Sequence, residues 1–92
     1  MELKDTIDLM LSDDFKDRFK AEYWQTQIRY DKLTGMIEKY KAGTLGFKPN
    51  CSLDLLERQA EHMYFYLEVL RTRADIENVE GINIELTVRH NG

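Results

Sequence analysis

The chain has 92 residues and a formal net charge of −4, with 42% hydrophobic and 33% charged residues. This length allows one domain with a modest core, and this composition excludes a chain that is disordered throughout. The negative charge argues against a general binder of nucleic acid or of anionic membranes.

Two further absences in the sequence narrow the class of protein. Cys51 is the single cysteine, so an internal disulfide is excluded. The sequence contains no run of about 18 apolar residues and no signal-peptide pattern at its start, so we expect neither a membrane span nor export. These features predict a soluble protein of the cytoplasm.

A short amphipathic helix is predicted over residues 2–11. Leu3, Ile7, Met10 and Leu11 recur there at helical spacing. This helix would lead into the longest predicted element.

Residues 12–41 are predicted to form one long helix with Ser12 as its N-cap, because a serine hydroxyl can accept from the free N–H groups of a first turn. Acidic residues near its start and lysines near its end suit the helix dipole. Trp24 and Ile28 point away from the main apolar row, so this helix should contact two neighbours. The main row comprises Phe15, Phe19, Tyr23, Tyr30, Leu33, Ile37 and Tyr40.

Residues 42–51 predict a break, since they contain two glycines and the only proline. Leu45 and Phe47 are expected to tuck into the core from this loop. A second helix is predicted over 52–76, capped by Ser52.

The second helix should fold back on the first as an antiparallel hairpin. Its inner row comprises Leu56, Gln59, Ala60, Met63, Leu67, Leu70 and Ala74. Further apolar side chains widen this arc beyond what one neighbouring helix needs. The expected pairs across the hairpin are Ile37 with Leu56, Tyr30 with Met63, and Phe19 with Ala74.

The tail at 82–90 alternates apolar and polar residues with period two, which predicts a β-strand. A lone strand leaves its backbone groups unpaired. We therefore predict that the tail pairs with, or docks on, another subunit. The fold class expected is all-α: an antiparallel helical hairpin with a short N-terminal helix and a strand-like tail, in a homo-oligomer (dimer or tetramer) built on the second helix and the tail. The whole of 1–92 would be one domain.

A row of polar residues runs beside the apolar row of the first long helix: Arg18, Glu22, Gln25 and Arg29, at steps of four, three and four. This row is a ligand-binding edge, in which the arginines hold phosphate groups and Tyr23 or Trp24 offers a stacking surface, or a set of structural ion pairs, and the two are not exclusive.

The structural alternative pairs Arg18 with Asp75 and Glu22 with Arg73 across the hairpin. The sequence does not choose between the two.

Catalysis is not expected. His62 and His90 lie 28 positions apart without the spacing of a metal site, and Cys51 has no histidine at a recognisable distance. Both serines are predicted caps. No phosphate-binding loop or dinucleotide-binding glycine motif is present. We predict no enzyme activity, no metal and no cofactor.

Three segments carry a resemblance: LSDDFKDRFKAEYWQTQIRYDKL, YKAGTLGFKPNC and LLERQAEHMYFYLEVLRTRADIE. They resemble a group of small phage and prophage proteins common in Firmicutes phages, over about residues 3–80, and the tail departs from that group's pattern. The resemblance implies a counter-defence protein in the cytoplasm of an infected bacterium. By analogy it implies a sponge that sequesters a cyclic nucleotide signal of CBASS or Thoeris immunity without catalysis.

A sponge of this kind needs cationic groups for phosphates and aromatic rings for bases, in a pocket at a subunit boundary. The residues expected to bind the ligand are Arg18, Tyr23, Trp24, Arg29, Lys48, Tyr66 and Arg73. Two other functions remain open. One is an inhibitor that binds a host defence protein, as anti-CRISPR proteins do, and the other is a small phage structural or assembly protein.

Overall fold

A computed structural model describes residues 1–82 of the chain. A 3-10 helix at Leu3–Thr6 leads directly into the short α1, Ile7–Met10, and the two long helices are α2, Phe15–Ala42, and α3, Leu53–Ile76. The described part of the chain is therefore all-helical apart from its turns, in agreement with the predicted class. The predicted strand at 82–90 lies outside the described residues, except that Ile82 belongs to a turn.

The start of α2 differs from the prediction. Asp14, and not Ser12, is the N-cap: its carboxylate accepts from the backbone N–H of Lys16 at 2.9 Å. Ser12 instead braces the turn before the helix, where its hydroxyl accepts from the N–H of Asp14 and donates to Asp17. Both residue types are good caps, and the sequence alone does not rank two such residues so close together.

The helix ends are defined by local chemistry. Gly43 ends α2 in the left-handed conformation, with φ +75°, which a glycine adopts without steric cost. Ser52 caps α3 as predicted, because its hydroxyl accepts from the N–H of Leu55 at 3.1 Å. Leu45 in the intervening loop is half-buried. Phe47 is 61% exposed, so the expectation that it tucks into the core is wrong.

The helices α2 and α3 pack against each other as an antiparallel hairpin. Lys41 at the end of α2 forms a 2.7 Å ion pair with Glu57 near the start of α3. At the other end of the hairpin, the guanidinium of Arg73 lies 5.0 Å from the ring centre of Phe19. The buried core cluster comprises Phe19, Tyr23, Leu67, Leu70, Ala74, Val79 and Ile82.

After α3 the chain turns back onto the hairpin. The backbone N–H of Val79 donates to the carbonyl of Ala74 at 2.8 Å, and Asn78 takes a positive φ of 57°. The ammonium of Lys16 on α2 holds the carbonyl of Asn78 at 3.1 Å. This turn places Val79 and Ile82 in the core, each 1% exposed.

A charged side chain lies inside the hairpin. Arg71 on α3 is only 2% exposed. It donates to the hydroxyl of Tyr23 at 3.3 Å and to the side-chain carbonyl of Gln27 at 3.1 Å. The amide of Gln27 in turn donates to Asp31 at 2.9 Å. This network ties three successive turns of α2 to one position of α3.

The different burial of two leucines predicts that they contribute very differently to the free energy of unfolding. Leu70 is fully buried and Leu11 is 72% exposed. We expect Leu70→Ala to lower the free energy of unfolding by about 2–5 kcal/mol, because it removes buried methyl groups and leaves a cavity. The matched Leu11→Ala should change it by no more than about 0.5 kcal/mol. Urea unfolding followed by circular dichroism measures both, and equal effects would contradict this core.

A second prediction concerns the buried guanidinium. Arg71→Met removes two hydrogen bonds from a charged donor, so we expect a loss of about 1–3 kcal/mol in the free energy of unfolding. The control Arg29→Met changes an exposed side chain of α2 that makes no ion pair within residues 1–82, and it should stay within about 0.5 kcal/mol of the parent. A gain in stability for Arg71→Met would mean that desolvation of the charge outweighs its hydrogen bonds.

Candidate functional site

A groove of about 370 Å³ runs between α1 and α2. Its wall on α2 contains the polar row predicted from the sequence. The lining residues are Met10, Arg18, Ala21, Glu22, Gln25, Thr26 and Arg29. The spacing of the polar row places it on one side of α2, about a third of a turn away from the residues that face α3.

The leading segment forms the other wall because Gln25 holds it in place. The amide of Gln25 donates to the hydroxyl of Thr6 at 2.9 Å and lies 3.7 Å from the sulfur of Met10. Thr6 is 1% exposed, and its own hydroxyl donates to the carbonyl of Leu3. A buried polar group of this kind is costly to leave without a partner, so this contact fixes α1 on α2.

The two arginines of the groove have different partners. Arg18 donates to the carbonyl of Ser12 at 2.8 Å, which uses one of its five N–H groups. Within residues 1–82, Arg29 makes no ion pair and no side-chain hydrogen bond, and the carboxylate of Glu22 has no cationic partner. The groove thus offers guanidinium N–H groups that are not hydrogen-bonded to other residues of 1–82.

The predicted structural ion pairs do not form among the described residues. Arg73 pairs with Glu77, one turn further along α3, at 3.3 Å, and its guanidinium stacks on Phe19. Arg18 reaches the Ser12 carbonyl and not Asp75. The polar row is therefore left to line a groove, and it is not used to join the two long helices.

The predicted aromatic residues lie elsewhere. Tyr23 is fully enclosed, and its hydroxyl is bonded to Gln27 and Arg71, so its ring presents no face to a ligand in this chain. Trp24 is half-buried against the edge of Tyr23, with ring centres 5.0 Å apart. Tyr66 is 42% exposed on the outer side of α3.

The remaining predicted residues are also apart from the groove. Lys48 is exposed in the hairpin loop, beside a separate hollow of about 220 Å³ that Tyr40 and Phe47 also line. Of the seven residues predicted to bind a ligand, the structure brings Arg18 and Arg29 together in one groove.

Sequence reasoning missed the residues that complete the groove. Met10 comes from the leading helix, and Ala21 and Thr26 flank the polar row on α2. The available signal was the i,i+4 pair of Thr6 and Met10, which places both on one face of the leading segment. The partner of that face was not identifiable from spacing alone.

Residues 1–82 contain neither a metal-binding cluster nor a membrane-spanning helix. This range holds no group of three or more histidine, cysteine, aspartate or glutamate side chains arranged to bind a metal ion. In the same range, no helix is both long and apolar enough to cross a bilayer.

Comparison with known proteins gives one family. The family model described as Sequestin matches residues 13–76, which span the whole of α2 and α3. This match covers well over half of the chain, so the chain belongs to the Sequestin family. The name of the family refers to sequestration. Neither the curated proteins nor the solved structures gave a match.

The hydrogen bond between Gln25 and Thr6 gives a third prediction. Gln25→Ala should loosen the leading segment, because a hydrogen bond of this kind contributes about 0.5–1.5 kcal/mol. Hydrogen–deuterium exchange of residues 3–10 should then rise several-fold, while exchange in α3 stays unchanged. The control Gln59→Ala removes an exposed amide that has only a 4.0 Å contact with the sulfur of Met63. Unchanged exchange in Gln25→Ala would show that α1 is held by other contacts.

Proposed function

We propose that this member of the Sequestin family binds and sequesters a cyclic nucleotide immune signal during phage infection, and that it performs no reaction on the signal. Family membership supports the sequestering part of this proposal. The observation that carries the ligand class is the free guanidinium of Arg29 in a groove that also contains Arg18. The phage setting comes from the resemblance of the sequence segments given above.

Phosphate recognition would fall to the two arginines. A guanidinium is planar and presents parallel N–H donors that match two oxygens of a phosphate. Arg18 and Arg29 are separated by about three helical turns, or about 16 Å along α2, and their long side chains can approach each other over the groove. Two such donors on a chain of net charge −4 make a local anion site in an acidic protein.

The neutral polar groups between the arginines suit a ribose or a base edge. The hydroxyl of Thr26 donates to the carbonyl of Glu22 at 2.9 Å, which leaves its oxygen lone pairs available as acceptors. The carboxylate of Glu22 accepts hydrogen bonds and disfavours a phosphate directly beside it. This alternation of cationic and acceptor groups favours a ligand with both phosphate and sugar or base donors over a simple anion.

The size of the groove limits how much of a ligand it holds. Its volume of about 370 Å³ lies near the lower end of the range for small-molecule sites, about 300–1,000 Å³. One nucleotide unit fits this space better than a whole cyclic dinucleotide. We therefore expect the rest of the ligand to extend beyond the groove walls.

The fourth prediction tests the site directly. Arg29→Ala should weaken binding of the cyclic nucleotide signal by about 10–100-fold, since a charge-assisted hydrogen bond contributes about 1.5–3 kcal/mol. Its melting temperature should match that of the parent, because Arg29 makes no ion pair with another residue of 1–82. Titration calorimetry with cyclic dinucleotides, cyclic trinucleotides and cyclic ADP-ribose isomers measures the affinity.

The control variant is Arg58→Ala, which removes an exposed guanidinium from α3, away from the groove. It should bind like the parent. Ligand released by denaturing the complex should have its original mass, because sequestration leaves the signal intact. Absence of heat with every nucleotide would refute the ligand class, and a ligand recovered as a hydrolysis product would refute sequestration.

A further inference from the structure

The face of α3 opposite the hairpin core carries a regular row of residues. The row follows the three–four spacing of a coiled-coil seam: Leu55, Arg58, His62, Phe65, Val69, Thr72 and Ile76. The buried residues of α3, such as Leu67 and Ala74, lie on the opposite side of the helix from this row. The seam therefore points directly away from α2.

The apolar members of the seam are strongly exposed. Leu55 is 46% exposed, Phe65 54%, Val69 55% and Ile76 73%. They extend over the full length of α3, which is about 36 Å for 24 residues. Four exposed apolar residues on one face of a helix, even with Arg58, His62 and Thr72 between them, are more than the isolated apolar residues that are normal on a surface.

We propose that a second copy of this chain covers the seam, with the two α3 helices parallel and in register. In that arrangement each residue of the seam meets its own counterpart, so Phe65 and Val69 form two adjacent apolar layers, and Leu55 and Ile76 form one apolar layer at each end. A two-fold axis parallel to the helices generates this contact and closes the assembly as a dimer.

The charges beside the seam select the parallel orientation. One flank is acidic throughout: Asp54, Glu61, Glu68 and Asp75. The other flank consists of Gln59, Tyr66 and Arg73. Antiparallel helices would place the acidic flank of one copy against the acidic flank of the other. Parallel helices place the acidic flank against the flank of Gln59, Tyr66 and Arg73, which carries no acidic residue. They bring Glu68 of one copy beside Arg73 of the partner subunit, where it joins the Glu77 that Arg73 pairs with in its own chain.

The polar members of the seam limit its strength. Arg58 would face its counterpart, although Asp54 of the same chain already holds it at 3.5 Å and offsets part of its charge. Polar residues within a seam specify register at a cost in stability. We therefore expect dimerisation in the micromolar range, and not an obligate interface.

This dimer goes beyond the proposed function and does not depend on it. The groove is lined by residues of α1 and α2 alone, so the seam leaves the groove of each copy open. Each dimer then has two independent binding sites. Loss of dimerisation and loss of ligand binding are separate outcomes.

The fifth prediction uses disulfide trapping in full-length chains that carry Cys51→Ser. Ile76→Cys alone, and Leu55→Cys alone, should each give a covalent dimer on mild oxidation, because parallel copies bring identical positions together. An antiparallel pair would separate identical positions by about 30 Å along the helices, and only a mixture of the two variants would then cross-link. The control Lys32→Cys lies on the exposed side of α2 and should give no covalent dimer.

Sedimentation equilibrium tests the same face without cross-links. The parent should show twice the monomer mass as its concentration rises through the micromolar range. Val69→Asp should raise the dissociation constant at least about tenfold by placing two carboxylates at the seam. The matched Phe47→Asp changes an exposed apolar residue off α3 and should leave it unchanged.

Two results would overturn the proposal. One is a parent protein that stays monomeric at every concentration and forms no trapped dimer. The other is cross-linking only in the mixture, which would mean antiparallel helices. Val69→Asp should still bind one nucleotide ligand per groove, as the parent does, because the groove does not include α3. If the parent forms the dimer but binds no nucleotide, the proposed function is refuted and the dimer is not.

Discussion

The hydrogen bonds of the buried Arg71 are the constraint on which the hairpin depends. A guanidinium without its hydration shell is costly, and here the hydroxyl of Tyr23 and the amide of Gln27 help to replace water. These two residues lie one turn apart on α2, so a shift of one helix along the other would break both bonds. Apolar packing favours burial of the two helices in many registers, whereas this polar network favours one. Among residues 1–82, no buried side-chain nitrogen or oxygen lacks a hydrogen-bond partner, which is the condition under which such a network stabilises a fold.

A fixed α2 has consequences for the groove. The side of α2 that faces α3 holds Phe19 and Tyr23 at no more than 3% exposure, and the neighbouring side carries the polar row. Because both sides belong to one 28-residue helix, immobilising the first also fixes the backbone of the second. Gln25 then holds the leading segment against the same helix. A groove whose walls are already in place loses less entropy when a ligand binds, and a protein that acts by retaining its ligand gains affinity from that saving.

The sequence predicted the helical hairpin because its signals are local and repeated. The apolar rows of the two helices extend over several turns, so errors at single positions do not change the outcome. The failures have a common cause. Ser12 and Asp14 compete as caps two residues apart, and Phe47 lies in a loop whose direction depends on contacts that spacing does not encode. Likewise Arg73 has Glu77 on its own helix, and a local partner is easier to reach than one across the hairpin. The polar row was recognisable as a row, but its opposite wall was not, since that wall comes from α1.

Within residues 1–82, α2 is covered on two sides by other segments, whereas α3 is covered on one. Each has a wide apolar arc, and each buries one side of it in the shared core. The second side of α2 receives the leading segment, which is short and is held by one strong polar contact at Gln25. No segment within residues 1–82 covers the second side of α3, where Phe65 and Val69 remain more than half exposed. In the proposed dimer, antiparallel helices would set the acidic flank beside that side against its own counterpart, whereas parallel helices set it against the flank that carries Arg73. This difference between the two orientations supports a parallel second copy as the partner of the exposed row.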